Sequence, residues 1–173
     1  MKQWFMLTVV GTDRPGIVAR ITTRLFDNGG NLGEASMARL GGNFTIMLMV
    51  QYDGDTAALQ RLLAPLSAEL GLHFHIDEIE GRLHEHIVPD VRISVYGADR
   101  AGIVAQVTSA LAAAGFNILD LESDVAGTER KPVYVMHIEG CATRGIEALT
   151  QAVADFARDG LDIRLTSIDT LMG

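Results

Sequence analysis

Two aspartates and two asparagines recur at one fixed separation: Asp13 with Asn31, and Asp99 with Asn117, the second pair 86 residues after the first. A carboxylate can hold an ammonium group, and an amide with backbone N–H donors can hold a carboxylate, so the set suits a small zwitterion. Both aspartates lie in one repeated stretch. It reads Gly11-Thr12-Asp13-Arg14-Pro15-Gly16-Ile17-Val18-Ala19, then Gly97-Ala98-Asp99-Arg100-Ala101-Gly102-Ile103-Val104-Ala105. For a single copy the plainer explanation is an acid at the positive end of a helix dipole beside a solvated arginine. The asparagine that repeats with each aspartate, just after a glycine-marked helix end, favours the ligand.

Other chemistry fits less well. Gly11-x4-Gly16 has the glycine spacing of a phosphate loop, but Ile17-Val18 stands where Lys and Ser/Thr are required. The pairs His73/His75 and His84/His86 put two imidazoles on one face of a strand, yet no third ligand recurs in the second repeat, so no metal is expected. Cys141 has no repeated partner and reads as a small apolar residue at a strand end; His137, four residues earlier, makes no nucleophile pair on spacing alone. Met47-Leu48-Met49 reads as core. No catalytic constellation emerges, and the chain is not expected to be an enzyme or to carry a cofactor.

The elements that must position these residues also repeat. Residues 11–32 and 97–118 match at eleven of twenty-two positions, which marks two copies of one domain. In each, a β-branched run ends at a glycine and an amphipathic helix follows. The first half reads as strand 3–10, helix 15–28, strand 31–40, strand 44–52, helix 56–70 and strand 72–79. The second reads as strand 90–96, helix 101–114, strand 117–126, strand 132–139, helix 144–158 and strand 161–170. Trp4 to Val10 is so continuously apolar that burial on both faces is expected. Pro15 suits a first helical turn, and Pro65 should kink or shorten its helix. The boundaries predicted are 1–82 for the first domain, 83–89 for a linker and 90–173 for the second. A βαββαβ unit is the ferredoxin-like arrangement, α+β, with an antiparallel sheet and both helices on one face. In it the loop after the first strand and the start of the second can lie close together, or close to those of an adjoining unit.

Net charge is −8, with two lysines among fourteen basic residues, which argues against a phosphate-backbone footprint. One cysteine excludes an intrachain disulfide, and neither a signal peptide nor a membrane span is evident, so a cytoplasmic location is expected.

Strand, Gly-x-Asp-Arg-Pro-Gly-Ile-Val, helix and Gly-x-Asn-Leu/Ile, set in βαββαβ units, resembles the ACT domain, a small-molecule regulatory module, in two tandem copies. Among ACT proteins the chain is most similar to the glycine cleavage repressor group. That resemblance implies an amino acid, glycine foremost, bound where the first loop of one unit faces the start of the second strand of another. Asp13 with the Arg14-Pro15-Gly16 turn would act with Asn117 and Ile118, and Asp99 with Arg100 and Gly102 would act with Asn31 and Leu32. The sites would be unequal, because Ala101 replaces Pro15 and Phe116 replaces Gly30. It further implies control through a protein partner, a LysR-type activator, rather than through DNA. The two units would satisfy each other or pair with a second chain as a homodimer.

Overall fold

The computed structural model describes residues 2–80, 87–98, 101–128 and 131–168. The chain divides into two compact units, Met1–Glu85 and His86–Gly173. Asp99, Arg100, His84 and His86 lie outside the described residues, as do residues 83–86 of the expected linker.

The first unit runs β1 (Gln3–Thr12), α1 (Ile17–Asp27), β2 (Asn31–Leu40), β3 (Asn43–Tyr52), α2 (Thr56–Leu70) and β4 (His73–Ile79). The second runs β5 (Val91–Ala98), α3 (Ile103–Ala113), β6 (Phe116–Thr128), β7 (Lys131–Ala142), α4 (Ile146–Val153) and β8 (Asp162–Ser167), with a short 3-10 turn at Ala154–Asp159. The sheets are antiparallel, ordered β2-β3-β1-β4 and β6-β7-β5-β8. The two apolar strands are thus central in each, as expected for this topology.

Each core forms where the apolar stripe of a helix meets one face of its sheet. Ile17, Ile21 and Leu25 of α1 are buried with Phe5, Leu7 and Val9 of β1 and with Leu59 and Leu63 of α2. Their counterparts Ile103, Val107 and Leu111 are buried with Ile93, Val95, Met136 and Leu149. The four-residue recurrence along each helix supplies the stripe, and each such side chain taken from water contributes about 1.5–3 kcal/mol.

Four local expectations are corrected. β1 is buried on one face only: Phe5, Leu7 and Val9 are inaccessible, whereas Trp4 and Met6 are half-buried and Val10 is exposed. The helices cover a single side of the sheet, and an unbroken apolar run cannot show that. Pro15 precedes its helix, which begins at Ile17 after Gly16 turns the chain at φ 85°. Pro65 does not shorten α2, which continues to Leu70 and ends at left-handed Gly71; buried Leu59, Leu63 and Leu66 hold its inner face down on the sheet. The last helix expected over 144–158 is α-helical only to Val153 and then tightens into the 3-10 turn.

The open faces of the two sheets differ in chemistry. In the first unit Trp4, Met6, Val10 and Met47 lie there, beside His75, whose Nε2 is 3.0 Å from Asp77 Oδ2. In the second, charged and polar groups pair. Arg92 reaches Glu139 at 2.6 Å, and Ser94 Oγ lies 3.0 Å from His137 Nδ1. Arg164 holds Asp162 at 2.7 Å while its guanidinium stacks 5.7 Å over Tyr96. The hydrogen bond to Asp162 pushes the Arg164 pKa further up. Edge strand β6 is exposed along nearly its whole length. Asp120, Glu122 and Asp124 share one of its faces, and Asp124 Oδ1 accepts the Val125 N–H at 2.7 Å.

Candidate functional site

Gly11 and Gly97 lie within β1 and β5 rather than in a turn. Their lack of a side chain serves packing: a Cβ on Gly11 would meet Leu72 Cδ2 at 2.6 Å, and one on Gly97 would strike Leu161. Leu72 and Leu161 are the buried residues that lead into β4 and β8. A phosphate cradle is therefore excluded at these glycines. The turn itself is made by Gly16 and Gly102, at φ 85° and 88°, a region open to glycine and costly for other residues.

These two glycines cap α1 and α3 without any side-chain acceptor, and neither helix has an acid in its first turn. The first N–H groups of a helix have no partner within it, and they carry its positive partial charge. By contrast, Asp55 accepts the Ala58 N–H of α2 at 2.7 Å, and α4 carries Glu147 in its first turn. The repeated loops thus end at helix starts whose first N–H groups no side chain of the protein caps.

Asp13 is held firmly. Its own N–H donates to the Gly42 carbonyl at 3.0 Å, so this amide is already engaged within the protein. Its Oδ2 meets the Arg39 guanidinium at 2.5 Å. Arg39 comes from β2, where it stands opposite Phe44, which in turn stands opposite Gly11. One row across the sheet therefore carries the arginine to the edge from which the loop departs. Arg14, Pro15 and Gly16 are exposed around this pair.

Asn31 and Asp13 are not brought together within their own unit. Asn31 opposes Gln51, which opposes Trp4 at the beginning of β1, whereas Asp13 follows the end of that strand. From Trp4 to Asp13, at about 3.3 Å per residue, the separation is roughly 30 Å. Both asparagines are exposed, while Leu32 and Ile118 pack against the cores of their own units. Phe116 turns into the core of the second unit and is buried there. Its bulk, expected to obstruct a ligand, is absorbed by packing.

Arg39 is the residue that sequence reasoning missed. At the repeat offset of 86 its counterpart is Val125, and the strand register agrees, since Arg39 opposes Phe44 as Val125 opposes Tyr134, while Phe44 and Tyr134 oppose Gly11 and Gly97. A search for duplicated residues discards such a position. Cys141 lies inside β7, where its S–H donates to the Val88 carbonyl at 3.3 Å. The Ser94–His137 contact sits on an exposed strand face where water competes for both groups. Among the described residues no three His, Cys, Asp or Glu side chains group to hold a metal, and no helix is long and apolar enough to cross a membrane. A shallow hollow of about 310 Å³ runs along α1, lined by Ala19, Arg20, Thr23, Arg24 and Asp27; none of the loop residues lines it.

Two βαββαβ units, each with a first helix capped by a left-handed glycine, define a class of small-molecule regulatory modules. The chain belongs to the ACT-domain family: residues 3–77 and residues 91–158 each match an ACT-domain model. It is similar to the glycine cleavage system transcriptional repressor of Escherichia coli strain K12, 28% identical over 157 residues that cover 90% of this chain and 80% of that protein. A protein of unknown function from Galdieria sulphuraria has a crystal structure that superposes with a TM-score of 0.75 at 26% identity, covering 98% of this chain and all of that one. The crystal structure of a proposed glycine cleavage system transcriptional repressor shares the fold, with a TM-score of 0.69 at 19% identity and coverage of 98% and 99%.

Proposed function

We propose that this protein is a non-enzymatic amino-acid sensor that represses glycine cleavage genes by holding a LysR-type activator, with glycine as the effector. The observation that carries this reading is the pair of uncapped starts of α1 and α3, each behind a duplicated loop. Such a helix start receives a carboxylate, and in the first unit the Asp13 carboxylate beside it receives an ammonium. The likeness to the glycine cleavage repressor supplies the regulated genes. The net charge of −8 directs the regulator toward a protein rather than toward nucleic acid. We assign ligand contacts to Asp13, Arg14, Pro15 and Gly16, to Asn31 and Leu32, and to Asp99, Arg100, Gly102, Asn117 and Ile118. An effector that favours one state of the protein shifts its affinity for the partner by the same factor by which the partner shifts affinity for the effector.

The test is a thermal-shift screen against the twenty amino acids, followed by capture of the activator with and without the amino acid that scores. A ligand present at a hundred times its Kd stabilises by about 2.7 kcal/mol, a shift readily seen. Glycine should raise the melting temperature, and Asp13→Ala should abolish the rise. No response to any amino acid, together with capture that ignores them all, would leave a partner-binding module without a sensor.

A further inference from the structure

We propose that Arg39 is the carboxylate-binding residue of the first unit, so that Asp13 and Arg39 grip an α-amino acid by its two opposite charges; this rests on the amino-acid-sensing reading above. The two side chains meet at 2.5 Å, with Asp13 only 30% exposed and Arg39 68% exposed. The anchored member is the carboxylate, because the Asp13 N–H to Gly42 bond fixes its backbone. The more exposed member is a long cation reaching across from β2. A carboxylate has a second oxygen, and a guanidinium has five donors in a planar fork, so neither is saturated by one contact.

An α-amino acid presents an ammonium and a carboxylate one carbon apart. Laid beside this ion pair it places each of its charges against the opposite one, exchanging a single salt bridge for a ring of charge-assisted contacts at no change in net charge. A ligand with one charge alone would leave either Asp13 or Arg39 uncompensated. The start of α1, which follows the same loop, has no side-chain cap of its own.

The second unit lacks this device, because Val125 takes the place of Arg39. The duplicated loops are therefore unequal in the strength of their hold, and the first unit carries the tighter site.

Isothermal titration of the full chain tests this with four proteins: the parent, Arg39→Ala, Arg39→Lys and Asp13→Ala. The titrants are glycine, glycinamide and acetate. The parent should bind glycine at least tenfold more tightly than glycinamide or acetate. Arg39→Ala should weaken glycine roughly tenfold or more without weakening glycinamide, whose ammonium no longer competes with Arg39 for Asp13, and Arg39→Lys should restore part of the loss. An exposed ion pair contributes little to folding, so Arg39→Ala should melt close to the parent without ligand. Glycine binding that survives Arg39→Ala and is lost in Asp13→Ala overturns the role of Arg39 and leaves the sensor standing. So does equal affinity of the parent for glycine and glycinamide. A parent that binds none of the twenty amino acids overturns both.

Discussion

At the scale of single residues, the repeated glycines do two separate jobs that their spacing alone could not distinguish. Gly16 and Gly102 turn the chain; Gly11 and Gly97 admit a leucine. Replacing Gly11 by alanine pushes a methyl against Leu72, which is 1% exposed and has nowhere to go. The expected cost is about 1–3 kcal/mol, read as a lower midpoint in urea unfolding with an unchanged slope. Asp13, Asn31 and their repeats stand out in the sequence because duplication marks them at one fixed offset. Arg39 was illegible for the same reason: it has no twin, and it meets Asp13 only after a hairpin has folded β2 alongside β3.

Among the elements, order and type were readable throughout, because helix periodicity and paired apolar runs repeat at one offset. Faces were harder. Every position from Trp4 to Val10 except Thr8 is apolar, so no alternation marks the side that the helices cover, and burial of Phe5, Leu7 and Val9 alone emerges only once α1 and α2 are in place. Pro65 does not end its helix, because local propensity yields there to tertiary contacts. Its ring is exposed while Leu63 and Leu66 beside it are buried. A proline interior to a helix removes one backbone hydrogen bond and costs about 3 kcal/mol relative to alanine. Pro65→Ala should therefore stabilise the first unit by about 1–3 kcal/mol, measured as a higher midpoint in chemical unfolding, with the fold otherwise unchanged by circular dichroism.

For the molecule as a whole, duplication has produced two cores of matching design and two open sheet faces of contrasting chemistry, one rich in Trp4, Met6 and Met47, the other carrying Arg92, Glu139, Arg164 and Asp162. The core positions stayed alike because each helix stripe must meet its own sheet; the outer positions were free to diverge. The long border strand β6 shows one result of that freedom. Its three carboxylates repel a second copy of the same strand laid alongside, and Asp124 occupies the Val125 N–H that such a neighbour needs. Substituting Asp120→Asn, Glu122→Gln and Asp124→Asn together should make the protein self-associate, seen as scattered light that climbs with concentration more steeply than for the parent. On that expectation the acidic ribbon guards an exposed sheet border against fibril-like stacking.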